Sequence, residues 1–394
     1  MLFVRAFAAP LAMISALTGA AARAEDAPVQ EVAPVLAQAA PAAPVRKPDS
    51  GFDQAWRIPT IYKNDDAAVL NEVRIVGRFH LDNYVLDSDI GDDSDLVIRR
   101  TRLGVRAKLF GRLDAHVQGD FNLEGGGPFY SRLTDAYLAW KFDDAATLTV
   151  GKQSTEFTLD GATSSNRLLT IDRSNINQNF GVATEYVPGI TLGGKSGQWT
   201  YKAGIYSGGR DNGEFGKFDG GYAIIASVGH DFGRQLGVKR AVLRVDYMYN
   251  KPNVNSDLLR RFEHTGSLIA MLEDDDWGIW AEAVLADGAL GQSDGKAASI
   301  MPWVNLSKKF QLVGRFTHMT SANPNGLRFS RYETVATSGR GDLYNELYAG
   351  VNYYIYGHNL KLQSGLTFAS MRDRANDGGA YDGITWTTGL RISW

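Results

Sequence analysis

A row of basic residues is the feature of this sequence with the clearest capacity for chemistry. Guanidinium and ammonium groups occupy alternate positions over residues 100–108, and mostly apolar residues fill the positions between them. This alternation is typical of a β-strand, in which successive side chains point to opposite faces. One face of the predicted strand would therefore attract anions. The basic residues are Arg100, Arg102, Arg106 and Lys108, and the intervening residues include Leu103, Val105, Ala107 and Leu109.

The two-residue period that positions these cations extends from about Asn71 to Trp394. In the terminal stretch GITWTTGLRISW, large apolar residues alternate with small or polar ones. Segments of this kind, bounded by turn residues, predict an all-β fold with sixteen strands. Their centres lie near residues 78, 103, 118, 137, 149, 184, 203, 227, 245, 268, 281, 303, 315, 349, 365 and 389.

The predicted strands are joined by connections that alternate between short and long. Short turns at one end and long loops at the other are typical of outer-membrane β-barrels. A soluble β-sandwich is the alternative, but it does not require this systematic alternation. We therefore predict a 16-stranded antiparallel transmembrane β-barrel in the outer membrane of a Gram-negative bacterium. The short turns include residues 110–112, 143–145 and 356–359, and the long loops include 87–95, 207–221 and 321–342.

The amino-terminal region has a different composition. Residues 1–24 combine a basic residue, an apolar stretch and the small-residue site Ala22-Arg23-Ala24, which is typical of a secretory signal peptide. Residues 25–66 begin with an Ala- and Pro-rich stretch and are predicted to form a periplasmic linker that precedes the barrel of residues 67–394. An even number of strands places both ends of the barrel on the periplasmic side, as such a linker requires.

In a barrel of this size, the polar face of each strand lines a water-filled lumen. Closure places the last strand beside the first, so Arg391 is predicted to lie near Arg74, Arg78 and the basic strand. We interpret this cluster as a wall that attracts anions as they pass. The alternative is that acidic residues on adjacent strands neutralise it. The predicted acidic wall consists of Asp114, Asp120 and Asp135.

One connection, over about residues 153–180, is too long for a hairpin and too apolar to lie free in water. Folded into the lumen, it would bury its apolar side chains on the wall and set the narrowest width of the pore. Its basic residues Arg167 and Arg173 would then lie close to the permeating solute. An extracellular cap is the alternative placement. The apolar residues are Phe157, Leu159, Leu168, Leu169 and Ile171.

Three stretches of the sequence together resemble the phosphate-selective porins of the O and P type. They are RRTRLGVRAKLFGRLDAHVQGDF, LTDAYLAW and LTVGKQSTEFTLDGATSSNRLLTIDRSNINQNFG, which fall within residues 97–182, and the resemblance continues weakly to Trp394. It implies a sixteen-stranded barrel, an inward-folded third extracellular loop, a homotrimer and passage of phosphate or other anions. The arginines of the second strand match the arginine ladder of such porins. A general, unselective porin is the alternative.

The sequence offers little support for enzymatic or metal chemistry. It has no cysteine, and its six histidines are scattered, so no cofactor or metal is expected. An outer-membrane phospholipase or deacylase would need a Ser–His pair facing lipid, and His230 and His318 are the only candidates. Removal of the signal peptide changes the net charge from −3 to −5, because two arginines and no acid are lost. This mild charge gives no argument for a nucleic-acid partner, and none is expected. The expected partners are membrane lipid, lipopolysaccharide, and small anionic or polar solutes.

Overall fold

The computed structural model describes residues 50–182, 186–209, 214–256 and 261–394, so the predicted signal peptide and most of the predicted linker lie outside it. The described chain forms sixteen long strands and one short amino-terminal strand. In chain order they are β1 (Thr60–Lys63), β2 (Leu70–Ser88), β3 (Asp93–Leu109), β4 (Leu113–Phe121), β5 (Tyr130–Lys141), β6 (Thr147–Ser154), β7 (Tyr186–Ser196), β8 (Trp199–Ser207), β9 (Tyr222–Asp231), β10 (Arg240–Asn250), β11 (Phe262–Glu273), β12 (Trp277–Gly288), β13 (Gly295–Asn305), β14 (Phe310–Ser321), β15 (Leu343–Tyr356), β16 (Leu360–Arg372) and β17 (Tyr381–Ser393).

The sixteen long strands close into a barrel. Each pairs antiparallel with the next, and β17 pairs with β2 from Gly383 opposite Ser88 to Ser393 opposite Arg78. Closure pairs the first and last long strands, as a lipid environment requires. The predicted sixteen-stranded antiparallel barrel is confirmed. The expected centre of the sixth predicted strand, residue 184, lies outside the described residues, and β7 is described from Tyr186.

The alternation of side chains gives the barrel two different surfaces. In β3, Arg102 is 2% exposed, whereas Leu103 and Val105 are each 49% exposed. The exposed apolar face repeats from strand to strand and suits a hydrocarbon environment, while the opposite face is largely polar. Exposed members of the outer face include Val117, Leu138, Val150, Ile190, Leu192, Ile205, Leu243, Leu268, Ile300, Phe316, Leu347, Leu366 and Trp386.

Residues 51–63, which the sequence assigns to the linker, fold against the barrel. Helix α1 (Gly51–Ala55) precedes β1, and β1 pairs with the start of β2. The Trp56 indole nitrogen donates to the Ser393 carbonyl at 2.6 Å, and the Tyr356 hydroxyl donates to Asp53 at 2.7 Å. The aromatic rings of this segment therefore cover the end of the barrel at which the chain terminates.

The long connections lie at the opposite end from the termini, as predicted. The connection over 87–95 is an exception and is not a long loop, because β2 and β3 extend into it and leave only residues 89–92 between them. Four further helices are short: α2 (Leu159–Ala162), α3 (Asn175–Phe180), α4 (Gly233–Leu236) and α5 (Glu333–Ala336). In the part of the chain that the structure describes, no helix is long and apolar enough to cross a membrane.

Candidate pore constriction and its charged wall

The long connection between β6 and β7, here called L3, is described over residues 155–182. Its apolar side chains are buried, with Phe157 1%, Leu168 3% and Ile171 3% exposed. Its polar contacts are with wall residues on β2, β3, β10, β12 and β14 to β17, all on the face opposite the lipid-facing residues. L3 therefore contacts the polar faces of strands around much of the barrel, which supports its predicted placement inside the lumen.

The start of L3 is held by carboxylates of the wall. The Thr158 amide donates to Asp246 at 3.0 Å, and the Leu159 amide donates to Glu282 at 2.8 Å. The Ser267 hydroxyl donates to the same oxygen of Glu282 at 2.7 Å. These two acids, on β10 and β12, therefore bind backbone amides of L3 and are occupied by the loop.

The second half of L3 is held by donors, which bind the backbone carbonyls of residues 168–172. The wall therefore matches the loop in polarity: acids accept from its first amides, and cations or amides donate to its later carbonyls. These donors come from four consecutive strands, β14 to β17. The contacts are Lys361 to Leu168 (2.6 Å), Asn352 to Leu169 (2.8 Å), Gln363 to Leu169 (3.3 Å), Arg391 to Ile171 (3.0 Å) and Arg315 to Asp172 (3.2 Å).

Two residues predicted to line the pore take part in this anchoring. Arg391 is 1% exposed and also donates to the Asp82 carboxylate of β2 across the seam. Arg173 donates to the carbonyls of Asp160 at 2.8 Å and Thr163 at 3.0 Å, so it ties one half of L3 to the other. By contrast, Arg167 on the same loop is exposed.

On the basic strand β3, two predicted residues pair with the neighbouring acidic strand. Arg102 donates to Asp120 at 2.8 Å, and Arg132 of β5 contacts the same carboxylate at 3.1 Å. Arg106 lies 3.2 Å from Asp114, and both side chains are well exposed. The register places Asp120 directly opposite Arg102, whereas Asp114 lies opposite Lys108, so the contact between Arg106 and Asp114 is diagonal.

The remaining predicted residues lie on the same inner wall. Lys108 is exposed, Asp135 lies 4.0 Å from His116, and Arg74 lies 3.6 Å from Glu72. Further round the barrel, the inner face is open and polar. That part of the lumen is lined by residues including Thr149, Thr191, Lys202, Ser227 and Arg244.

A β-bulge brings an additional arginine to L3. The register shifts between His80, opposite Arg100, and Leu81, opposite Ile98, which leaves Arg99 as the extra residue. A bulge lets two successive side chains reach the same side, so Arg99 and Arg100 lie 3.3 and 4.0 Å from the carboxylate of Asp172 on L3. Strict alternation along β3 would place Arg99 on the lipid-facing side, opposite to Arg100. The adjacent arginines at 99 and 100 were the available signal.

Arginines of β2, of β3 and of the loop between β14 and β15 concentrate positive charge around L3. Arg78 of β2 donates to the Ser165 hydroxyl of L3 at 2.5 Å. Burial of Asp172 opposes its ionisation, but Arg99, Arg100 and Arg331 hold its pKa well below the usual range. Asp172 is therefore a permanent carboxylate at neutral pH, surrounded by guanidinium groups.

Comparison with known protein families identifies this architecture. Residues 73–262 match the family described as phosphate-selective porin O and P. These residues belong to that porin family. The resemblance drawn from the sequence is confirmed, and the match extends beyond the region in which it was densest. The barrel is thus an outer-membrane porin, a channel rather than an enzyme.

Solved porin structures share the fold at low sequence identity. An anion-selective porin from Comamonas acidovorans has a TM-score of 0.58 at 13% identity, covering 82% of this chain and 99% of that one. OmpT of Vibrio cholerae has a TM-score of 0.55 at 14% identity, covering 84% and 100%. OprB of Pseudomonas putida has a TM-score of 0.57 at 10% identity, covering 87% and 96%. No match was found among curated protein sequences.

The histidines considered for an enzyme make other contacts. His318 pairs with Asn345 at 2.8 Å, and the ring of His230 lies edge-on to Trp199 at 4.6 Å. Within the described ranges, no group of three or more His, Asp or Glu residues could hold a metal ion.

Proposed function

We propose that this porin is a passive channel for small hydrophilic solutes that favours anions such as phosphate, and that L3 sets its narrowest width. The observation that carries the proposal is the group of arginines that meets L3 from β2 and β3. Arg78 contacts Ser165, and Arg99 and Arg100 flank Asp172. A solute that passes L3 on this side encounters several guanidinium groups and a single adjacent loop carboxylate, a field that favours anions.

The width of the channel follows from the rigidity of L3. Backbone groups at both ends of the loop are bound to wall side chains, and its apolar residues are buried. A loop held in this way excludes solute from the volume that it fills. Solute is then confined to the part of the lumen that L3 leaves open, which includes the inner face near Lys202 and Arg244 as well as the arginines beside L3.

The test is the reversal potential of single channels in a KCl gradient, with and without inorganic phosphate. We expect a clear preference for chloride and a block of the chloride current by phosphate. Arg99→Gln should lower the anion preference about threefold, because a charge next to the solute path is lost. The matched control is Arg112→Gln, an exposed arginine in the turn between β3 and β4. A reversal potential near zero, unaffected by phosphate or by Arg99→Gln, would contradict the proposal.

A general, unselective porin is the second candidate, and the ion pairs of β3 favour it. Arg102 and Arg106 are each paired with an aspartate of β4, so these members of the predicted ladder contribute little net charge. The same reversal potential separates the two functions. An unselective channel should also remain unblocked by phosphate.

We also propose that the porin assembles as a homotrimer, with a second copy on the outer face of β14 to β16. That face has a shallow depression whose lining combines small residues, among them Gly314, Ala349 and Ser364, with larger apolar ones such as Trp303 and Trp386. Ala349→Trp should fill the depression and lower the trimer fraction measured by native mass spectrometry in detergent. Ala203→Trp, also outward-facing but on β8, is the control. Equal trimer fractions in both variants would place the interface elsewhere.

A further inference from the structure

The loop between β14 and β15, residues 322–342, also folds into the mouth of the barrel. Leu327 and Phe329 are each 1% exposed, and Tyr332 is 9% exposed. They belong to a buried apolar cluster that includes residues of eight strands and two residues of α3. The strand and helix members include Tyr84, Leu86, Ile176, Phe180, Phe262, Val284, Met319, Tyr344, Met371 and Tyr381.

Specific polar contacts fix this loop against L3 and β2. The Tyr332 hydroxyl donates to Asp82 at 2.6 Å, and its ring stacks on Tyr84 at 4.6 Å. The Asn175 and Asn179 amides of α3 donate to the Arg328 carbonyl at 2.9 and 3.0 Å. In return, the Arg328 amide donates to Asn179 at 2.9 Å. The segment between these anchors has little freedom to move.

Arg331 lies between the two anchors, and its side chain is partly exposed. Its Nε is 3.6 Å from Oδ2 of Asp172, and Arg99 donates to both oxygens of the same carboxylate, at 3.3 and 3.4 Å. The Arg331 side chain is 52% exposed, compared with 23% for Asp172 and 14% for Arg99. Arg331 is therefore the most accessible of these three charged groups to a solute.

We propose that Arg331 is a specificity-determining residue of the channel. With Arg99 it forms a binding site for small oxyanions, and Asp172 is the counter-ion of these two arginines when no solute is bound. This inference rests on the proposed anion preference. Arg99 and Arg331 both contact the carboxylate of Asp172, with Arg100 at 4.0 Å. This carboxylate occupies the position that the carboxylate or phosphate group of a solute would take. A passing oxyanion binds the exposed side of Arg331 and competes with Asp172 for its charge. The fixed carboxylate weakens this binding, so the solute also leaves readily.

The test is the reversal potential of Arg331→Glu in a KCl gradient, with inorganic phosphate and acetate as probe anions. Relative to the wild type, we expect the chloride-to-potassium permeability ratio to fall about threefold or more, and block by both probes to weaken. Arg340→Glu is the matched control, since it makes the same charge change at an exposed position of the same loop. Equal reversal potentials and equal block in the two variants would overturn the inference.

Two neutral variants separate charge from loop structure. Arg331→Gln keeps a hydrogen-bond donor and should lower the permeability ratio by less than Arg331→Glu. Asp172→Asn removes the counter-ion and should raise the anion preference and strengthen block. A decrease in anion preference with Asp172→Asn would overturn the inference. The proposed function fails separately, if the wild type itself shows no anion preference.

Discussion

The anchoring of L3 by side chains of β15 and β16 makes a quantitative prediction for Asn352→Leu. Asn352 is 1% exposed and donates to the Leu169 carbonyl at 2.8 Å and to Gln311 at 2.9 Å, while it accepts from Gln363 at 2.8 Å. After the substitution, the Leu169 carbonyl keeps only the longer contact from Gln363 at 3.3 Å. Leucine is similar in size, so the main change is the loss of hydrogen bonds.

The expected cost can be worked out from these contacts. Leaving a buried polar group without a good partner costs about 1–3 kcal/mol. Because 1.4 kcal/mol corresponds to a factor of ten, local opening of L3 should become about 5- to 140-fold more frequent. The barrel strands keep their backbone pairing, so the effect should be confined to the loop.

The measurement is amide hydrogen exchange over residues 166–172, together with open-channel current noise. Both should increase in Asn352→Leu. The control is Asn345→Leu, which lies on the same strand but on the outer face and contacts His318. Unchanged exchange in Asn352→Leu, or equal increases in both variants, would refute the view that wall side chains hold L3 in place.

Three further predictions concern the pore and its loops. Deleting residues 160–172 should raise single-channel conductance, because the deleted segment fills part of the lumen; unchanged conductance would exclude it from the constriction. Arg106→Glu should shift selectivity toward cations more than Arg102→Glu, since Arg106 is well exposed and Arg102 is buried against Asp120; equal shifts would contradict this reasoning. Burial raises the pKa of Glu333 above its unfolded value, to about 7, so the β14–β15 loop is most stable at low pH and loses that stability as pH rises through 7. Exchange over residues 327–336, corrected for its intrinsic pH dependence, should therefore increase from about pH 6 to about pH 8, and Glu333→Gln should abolish the increase.

The sequence predicted which charged side chains face the lumen, but not which groups those side chains contact. The alternation that predicts an inward face for Arg102 and Arg391 holds in the structure, where both are buried on the polar face. Alternation says nothing about what covers that face. Arg391 meets a carbonyl of L3 and Arg102 meets Asp120, whereas Arg106 and Lys108 remain exposed. The burial of each cation depends on residues far away in sequence.

Two features of the candidate site depended on local departures from regularity. The bulge at Arg99 redirects one side chain from the lipid side to L3, and period-two analysis has no means of placing such an insertion. The inward fold of residues 322–342 brings Arg331 to Asp172, although the two are distant in sequence. The sequence shows that this loop has apolar residues. It does not show what they pack against, because the cluster that they join is assembled from many strands.

The sequence by itself determined the class of the molecule. Sixteen alternating segments with short turns and long loops specify a closed barrel. In a membrane each segment must pair the hydrogen-bonding groups of its backbone with a neighbouring strand and present one apolar face to lipid. The sequence also identified the connection that becomes L3. The tertiary structure decided which inner charges hold that loop, which pair with one another and which remain accessible to solute. Those outcomes depend on shear, bulges and loop packing, which set the heights of side chains on different strands and are not encoded in the pattern of any single strand.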